Sequence, residues 1–145
     1  MRLISGIRVA LWSASAMTAD TTRPSGPPKV LVIEDYEVTR QVLVRVLEQQ
    51  GFSAVPVANG AEALEYLSHG GPASVILLDV VMPVMDGWAF RRAQQRDPWL
   101  ADIPVIVFSA LDGHPISGLK AAATFQKPVN LAALLQTVRR ICSAE

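Results

Sequence analysis

A chain of 145 residues is long enough to bury a substantial core and fits a single domain. Its 13 Lys and Arg residues balance its 13 Asp and Glu residues, which gives no overall reason to expect nucleic acid or an anionic membrane surface as a partner. The single cysteine, Cys142, excludes an intramolecular disulfide framework and favours a reducing, cytoplasmic location.

Residues 1–28 differ in character from the rest of the chain. They begin with a short apolar stretch that Arg8 interrupts, and they end in a segment rich in Pro, Ser and Thr. The stretch is too short to span a bilayer, and the interruption disfavours a signal peptide, although the small residues 13–16 would suit cleavage. We predict a disordered lead-in over 1–28, with Met17 as an alternative start, and no membrane anchor.

From Lys29 onward, short apolar runs rich in β-branched residues alternate with helical patterns. Pro56 lies in the second predicted strand and places it at a sheet edge, while Asp86 and Asn130 are predicted to cap the third and last helices. This alternation indicates an α/β fold with a parallel sheet covered on both faces, whose functional groups lie at the carboxyl ends of the strands. Strands are predicted at 30–33, 53–57, 74–78, 105–108 and 124–126, and helices at 38–50, 61–68, 87–96, weakly at 116–122, and from 131 onward.

Four of the five predicted strands end in polar side chains. The first ends in Glu34 and Asp35, the third in Asp79, the fourth in Ser109 and the fifth in Lys127. Three carboxylates at one rim would repel each other unless a cation lay among them, and Mg²⁺, or Mn²⁺ in its place, prefers oxygen ligands of this kind. Lys127, Ser109 and the metal would then bind a phosphoryl group, and Asp79 would be the nucleophile that forms an acyl phosphate.

Three residues close in sequence to this predicted site are also candidates for a role in it. Ala110 follows Ser109 and is small, which leaves room for an incoming group. The peptide bond before Pro128 is a candidate for the cis form, which would aim Lys127 inward. Asp86 stands beside a turn glycine and is interpreted as a helix cap, not as a site residue.

Together these motifs resemble those of the response-regulator receiver domains of two-component signal transduction, over about residues 28–144. Each motif is weak alone, but all of them at the family's spacings are specific. We therefore predict a receiver domain over 29–145, of the single-domain type because no effector motif follows the last predicted helix. The matching pieces are Glu34-Asp35, the motif D-x-x-M-P-x-x-D-G from Asp79 to Gly87, Ser109-Ala110 and Lys127-Pro128.

The resemblance implies the flavodoxin-like (CheY-like), doubly wound fold, with a five-stranded parallel sheet in the order 2-1-3-4-5. It implies that Asp79 accepts a phosphoryl group from the phosphohistidine of a sensor histidine kinase or a histidine phosphotransfer protein. Val81 would lend its backbone carbonyl to the metal. Ser109 and Lys127 would sense the phosphoryl group and shift an inactive–active equilibrium. The domain would not otherwise be an enzyme: it would catalyse only its own phosphorylation and dephosphorylation.

The chain departs from the family pattern in three places. Fewer residues than usual separate Ser109 from Lys127, so we predict a shortened fourth helix. Thr124 occupies the position, three before the lysine, that often carries an aromatic switch residue, which makes a Tyr/Phe rotamer switch doubtful. Val81 and Leu111, which flank the site, are apolar and cannot orient an attacking water, so we predict slow self-dephosphorylation.

The expected partners are proteins: the phosphodonor, a downstream protein of unknown identity and, as an option, a second copy of the chain. Tyr36, Val38, Thr39 and Val42, beside the acidic pair, are the candidates for docking the phosphodonor. Two other readings stay open. One is a pseudo-receiver that binds partners without phosphorylation. The other is an aspartyl-phosphate phosphatase, which Val81 disfavours because those enzymes use a second Asp at that position as acid and base.

Overall fold

The computed structural model describes residues 26–80, 85–109 and 119–143. Predictions that concern residues 1–25, Val81, Ala110, Leu111 and 116–118 lie outside these ranges. None of the helices in the described ranges is both long and apolar enough to cross a bilayer. The described elements are the strands β1 (Lys29–Ile33), β2 (Ser53–Val57), β3 (Val75–Asp79), β4 (Val105–Ser109) and β5 (Ala123–Gln126), and the helices α1 (Glu37–Gln49), α2 (Gly60–Ser68), α3 (Gly87–Arg96) and α4 (Leu131–Ser143).

All five strands are parallel and form one sheet in the order β2-β1-β3-β4-β5. The fold class and the strand order implied by the sequence resemblance are both confirmed. Strands β3 and β4 lie inside the sheet and are buried at every position, as expected where helices cover both faces. Strand β2 lies at one edge, as Pro56 predicted, because a proline cannot donate a hydrogen bond to a second neighbouring strand.

The sheet separates two hydrophobic clusters, because successive residues of a strand point to opposite faces. On β1, Leu31 and Ile33 belong to the cluster that includes Phe90 of α3. Val30 and Val32, which alternate with them, belong to the cluster that includes residues of α1 and α4. All five side chains are fully buried. This stiff centre fixes the position of the residues at the carboxyl end of the sheet.

Helix α1 faces the sheet with a narrow stripe. Leu43 and Leu47 are buried against the core. Val42 precedes Leu43 by one residue, which turns it about 100° around the helix axis. Val38 lies one turn before Val42 and shares its side of the helix. Val42 and Val38 are 44% and 58% exposed. The helix thus carries an apolar surface that the described part of the chain leaves exposed.

Two predicted helix caps are confirmed. The side-chain oxygen Oδ1 of Asp86 accepts a hydrogen bond from the N–H of Ala89 at 2.9 Å, and Oδ1 of Asn130 accepts one from the N–H of Ala133 at 3.1 Å. Each cap satisfies an N–H without a helical partner and stabilises the helix by about 1 kcal/mol. Helix α1 differs, because its N-cap residue, Tyr36, makes no side-chain capping hydrogen bond. Other groups must hold that helix end.

The weak helix predicted at 116–122 is wrong for its last residues. Residues 120–122 are not helical, and Lys120 has a φ of 54°, in the left-handed region. The guanidinium of Arg91 on α3 instead donates to the carbonyl oxygens of Leu119 and Lys120, at 2.8 and 2.9 Å. Side-chain hydrogen bonds from a neighbouring helix therefore replace the helical hydrogen bonds that these carbonyl groups would otherwise make.

Candidate functional site

Asp79 is the last residue of β3. It is still paired in register with Phe108 of β4, so it ends the strand, whereas the sequence placed it one residue beyond. Its side chain is almost completely buried, at 3% exposure for the residue. A carboxylate on an interior strand is held more rigidly than one on a loop, which suits a group that must meet a reacting atom in a fixed geometry.

Gly87 allows α3 to begin directly against the end of this strand. Its N–H donates to the carbonyl oxygen of Val80 at 2.7 Å. A Cβ atom added at Gly87 would lie 2.7 Å from the Cα atom of Val80, and a backbone atom cannot turn aside as a flexible side chain can. The glycine of the D-G pair is therefore required by the close approach of two backbone segments.

Glu34 and Asp35 follow β1, which pairs directly with β3. Glu34 is completely buried, and its Oε2 atom accepts a hydrogen bond from the N–H of Tyr36 at 3.0 Å. Asp35 is exposed. One carboxylate oxygen from each of Glu34, Asp35 and Asp79 lies within 4.8 Å of the other two. The three acids that the sequence predicted at one rim are thus brought together.

The donor set of this cluster fits a hard divalent cation. Carboxylate oxygens are the ligands that Mg²⁺ and Mn²⁺ prefer, and Mg²⁺ commonly takes only a few of them while retaining water. Three carboxylates this close repel one another when all are ionised, so a cation among them is favoured. Glu34, Asp35 and Asp79 therefore fit the predicted metal. The fourth predicted ligand, the carbonyl oxygen of Val81, lies outside the described residues.

Lys127 enters the cluster from the loop after β5. Its Nζ atom lies 3.2 Å from Oε1 of Glu34 and 3.2 Å from Oδ2 of Asp79. The same atom lies 5.4 Å from the ring centre of Phe108. The N–H of Lys127 donates to the carbonyl oxygen of Ser109 at 2.9 Å, so the two predicted phosphoryl-sensing residues are joined through their backbones. The peptide bond between Lys127 and the following proline is cis, as the sequence predicted.

The electrostatics of the cluster shift two pKa values. Burial raises the pKa of Glu34 from 4.5 to about 7; the charge of Asp79 and a hydrogen bond with Asp35 act in the same direction, against the Tyr36 N–H and Lys127. Burial alone would lower the pKa of Lys127, but attraction to Asp79 and Glu34 outweighs it and leaves that pKa above its usual value. The lysine is therefore a firmly held cation, while Glu34 is poised between two protonation states.

The predicted docking residues lie on the exposed part of α1 and the loop before it. Tyr36, Val38 and Val42 are 62%, 58% and 44% exposed, and Thr39 is partly buried. The atypical switch position, Thr124, is exposed on β5. These placements agree with the predicted surfaces, and the functions of the residues stay predictions.

Arg40 was missed by the sequence reasoning. Its Nη1 atom donates to the carbonyl oxygen of Glu34 at 2.8 Å and to that of Asp35 at 3.3 Å. Donation to main-chain carbonyl groups leaves no residue-type pattern that a motif could capture. The one available signal is position, because an arginine one turn into a helix can reach back to the loop that precedes it.

The fold is a five-stranded parallel sheet with three acids gathered at its carboxyl end, as the sequence motifs predicted, and comparison with known families agrees. The family model described as "Response regulator receiver domain" matches residues 30–139. The chain therefore belongs to the response regulator receiver domains of two-component systems. This confirms the family that the sequence motifs resembled.

Two relatives show the range of proteins in which such domains occur. The response regulator receiver protein CpdR of Brucella abortus is 35% identical over 118 residues, which cover 80% of this chain and 98% of that protein. The response regulator PleD of Caulobacter vibrioides is 33% identical over 117 residues, which cover 78% of this chain but only 26% of PleD. The chain thus spans about a quarter of PleD and nearly all of CpdR.

Solved structures give the same result. The receiver domain of a signal transduction histidine kinase from Syntrophus aciditrophicus is 31% identical, with a TM-score of 0.74 over 81% of this chain and 91% of that one. A response regulator receiver protein from Pseudomonas putida is 27% identical, with a TM-score of 0.74 over 81% of this chain and 99% of the other. The five-stranded sheet described above is therefore the fold of this family.

Proposed function

We propose that this receiver domain takes a phosphoryl group onto Asp79 from the phosphohistidine of a sensor histidine kinase or a histidine phosphotransfer protein, with Mg²⁺. The phosphorylated form signals through protein–protein contacts. The observation that carries the proposal is the placement of Asp79, a buried carboxylate at the end of an interior strand with Nζ of Lys127 3.2 Å away and two further acids beside it. In this proposal the domain catalyses its own phosphorylation and dephosphorylation.

The carboxylate of Asp79 supplies the attacking oxygen. An O–P bond forms as the N–P bond of the phosphohistidine breaks, and the electron pair of the broken bond returns to the imidazole nitrogen, which takes up a proton. The product is an acyl phosphate, the intermediate that carboxylate nucleophiles form in phosphoryl transfer. In dephosphorylation, the oxygen of a water attacks phosphorus as the O–P bond to Asp79 breaks. Inorganic phosphate leaves with the water oxygen, a proton of that water passes to solvent, and the Asp79 carboxylate is restored.

Lys127 and Ser109 give this reaction a structural consequence. Before transfer, the Lys127 ammonium is paired with the carboxylates of Asp79 and Glu34. After transfer, the charge of Asp79 lies on the phosphoryl oxygens, so the ammonium is drawn toward those oxygens. The hydroxyl of Ser109, at the end of the neighbouring strand, donates to another of them. Because the backbones of Ser109 and Lys127 are hydrogen bonded, the two residues respond together.

Glu34, Asp35 and Asp79 hold the divalent cation in this proposal. When bound there, Mg²⁺ would supply positive charge that neutralises the transferred phosphoryl group. Glu34 acts from a buried position, where its pKa of about 7 means that a proton competes with the cation near neutral pH. The exposed Asp35 has no such burial. The two acids of the pair therefore differ in their burial.

The exposed side of α1 is the surface that we propose for docking the phosphodonor. Val38, Thr39 and Val42 line a groove of about 280 Å³, and Lys127 is also part of its lining. Tyr36 adds a large exposed side chain at the start of the helix. A partner that covered this groove with apolar side chains would bury these residues and place its phosphohistidine close to the lysine that pairs with Asp79.

The central test is phosphorylation by a small-molecule donor. Purified protein is incubated with Mg²⁺ and acetyl phosphate, and the intact mass is measured. We expect a mass gain of one phosphoryl group in the wild-type protein and in Asp86→Asn, and none in Asp79→Asn. Asp86→Asn is the matched control because it neutralises a nearby carboxylate, and Asn retains the capping function.

Two results would contradict phosphorylation of Asp79, and a third would contradict the role of the metal. A wild-type protein that gains no mass would favour the pseudo-receiver, which binds partners without phosphorylation. An equal gain in Asp79→Asn would place the phosphoryl group on another residue. Omission of Mg²⁺, or addition of EDTA, should suppress the gain, and a gain that persisted under both conditions would remove the metal from the mechanism.

The lifetime of the acyl phosphate is a second prediction of the sequence. Val81 and Leu111, both outside the described residues, are apolar and cannot position a water molecule for attack. We expect the phosphorylated protein to lose its phosphoryl group slowly once the donor is removed, as followed by intact mass over time. Loss within seconds would refute this expectation without affecting the identity of the phosphoacceptor.

A further inference from the structure

We infer that Arg40 is a positioning residue for the divalent-cation site: by holding the carbonyl groups of Glu34 and Asp35, it fixes the loop that presents these two acids. The inference rests on the function proposed above. It adds a residue that is neither one of the acids, nor the phosphoacceptor, nor one of the residues that sense the phosphoryl group.

The loop that Arg40 holds is short and carries both acids. Only Glu34, Asp35 and Tyr36 lie between the end of β1 and the start of α1. Tyr36, the N-cap residue, offers no side-chain cap to the helix, and its N–H donates instead to the Glu34 carboxylate. The carboxylate that we assign to the metal is therefore also the group that holds its own loop, so it does not fix the loop independently of metal binding.

Arg40 supplies an independent attachment. Its Nη1 atom donates to the carbonyl oxygen of Glu34 at 2.8 Å and to that of Asp35 at 3.3 Å. These are the two peptide groups that set the direction of both acidic side chains. Arg40 is anchored by its place in the first turns of α1, and it is partly buried. A charged donor to a carbonyl group makes a hydrogen bond stronger than a neutral one.

The positive charge of Arg40 acts on the affinity for a divalent cation in the opposite direction to its positioning of the loop. A guanidinium that contacts the loop carrying Glu34 and Asp35 also repels an incoming cation, so its charge alone would weaken metal binding. If positioning dominates, removal of Arg40 weakens the binding of a divalent cation. If charge dominates, removal strengthens it. The hydrogen bonds are short-range and direct, whereas the charge is partly exposed and screened by solvent, which favours positioning.

The test measures metal binding without any phosphodonor. Mn²⁺ is titrated into metal-free protein, and free Mn²⁺ is followed by electron paramagnetic resonance, with Mg²⁺ used as a competitor. We expect Arg40→Met to bind Mn²⁺ roughly ten-fold more weakly, as for residues that orient metal ligands. Arg40→Lys, which retains the charge and a donor, should recover part of that loss. Arg45→Met is the matched control: it removes the same charge from an exposed position on the same helix and should bind as the wild type does.

Circular dichroism and urea unfolding of the metal-free variants separate positioning from loss of the fold. If Arg40→Met does not fold, Arg40→Gln takes its place, because its shorter amide cannot reach both carbonyl groups, and weaker binding is again expected. Equal or tighter Mn²⁺ binding by the folded variant would overturn the inference about Arg40. The proposed function would still stand in that case, provided that the wild-type protein takes up a phosphoryl group. A wild-type protein that binds no Mn²⁺ would refute both the inference and the metal in the proposed function.

Discussion

Two regions of this domain bury charged or strongly polar side chains, and they do so with different partners. At the carboxyl end of the sheet, Glu34 and Asp79 face each other with Lys127 between them. On α3, the buried guanidinium of Arg91 and the buried amide of Gln94 are bound by neutral oxygen acceptors. We call these the charge cluster and the α3 network.

The α3 network is satisfied within the fold. Arg91 donates to the carbonyl groups of Leu119 and Lys120 and to the side-chain oxygen of Gln94 at 2.7 Å. Gln94 donates to the carbonyl groups of Leu100 and, at 3.0 Å, Ile103. These bonds tie the helix to the segments on either side of β4. Polar groups satisfied in this way stabilise one arrangement and leave little reason for another.

In the charge cluster, the partners of the buried side chains are themselves charged. Two carboxylates share one ammonium, a third carboxylate is adjacent, and burial raises the pKa of Glu34 to about 7. Several like charges lie close together here, so an added cation or phosphoryl group changes the energetics of the whole cluster. The difference teaches that burial alone does not identify a functional polar residue. The informative property is whether its partners within the chain already satisfy it.

The first way to test this comparison is to remove the guanidinium of the α3 network. Arg91→Met leaves two backbone carbonyl groups and the Gln94 side chain without their donor, at a cost of about 3 kcal/mol in the free energy of unfolding. Arg92→Met, on the exposed side of the same helix, should change it little. Urea unfolding of both variants measures the effect. Folded Arg91→Met should still bind Mn²⁺ as the wild type does; weakened binding would show that the two regions are coupled.

The second test concerns pH and acts on the charge cluster. Glu34 has a pKa of about 7 in the folded protein and an ordinary value of 4.5. An acid whose pKa is raised by folding contributes stability at low pH, and that contribution is lost as the pH rises toward and through the folded value. Metal-free wild-type protein should therefore lose about 2 kcal/mol of unfolding free energy between about pH 5 and pH 8.

Glu34→Gln is the matched variant, because the amide is nearly isosteric and does not titrate. Its unfolding free energy in EDTA should depend clearly less on pH than that of the wild type, and it should be the higher of the two at pH 8. Parallel pH profiles for the two proteins would mean that Glu34 is not the group that titrates. Within the described ranges, the α3 network has no carboxylate among its hydrogen-bond partners, so we expect no contribution from it to this pH dependence.

Sequence reasoning predicted most of the fold and the members of the charge cluster for one physical reason. In a parallel sheet the carboxyl ends of all strands meet at one edge, so the order of elements alone places Glu34, Asp79, Ser109 and Lys127 together. Pro56 likewise predicted an edge strand, because a proline lacks a backbone donor. These predictions depend on residue types at strand ends, which the sequence shows directly.

Two sets of contacts that sequence reasoning did not predict, those of Arg91 and Arg40, use backbone carbonyl groups as acceptors. Arg91 binds carbonyl groups 28 and 29 residues along the chain, and Arg40 binds those of the loop before its own helix. Every residue has a carbonyl group, so no residue-type pattern identifies the acceptor. The same network explains the wrong helix prediction at 120–122, because Arg91 holds Lys120 in a conformation that hydrophobic periodicity does not encode.

The smallest predicted effect distinguishes the cations of the two regions. In the charge cluster, Nζ of Lys127 bonds oxygens of Glu34 and Asp79, two of the acids that fit the divalent cation. Lys127→Met removes that competitor, so Mn²⁺ should bind about five-fold more tightly, which corresponds to about 1 kcal/mol. Electron paramagnetic resonance of free Mn²⁺ measures this change. A metal can thus take over the electrostatic role of Lys127, whereas it cannot replace Arg91, whose partners are scattered carbonyl groups and an amide. Weaker Mn²⁺ binding in Lys127→Met would show instead that the lysine holds the acids in the arrangement that the metal needs. The charge cluster would then resemble the α3 network, in which a cationic side chain stabilises one arrangement of its partners.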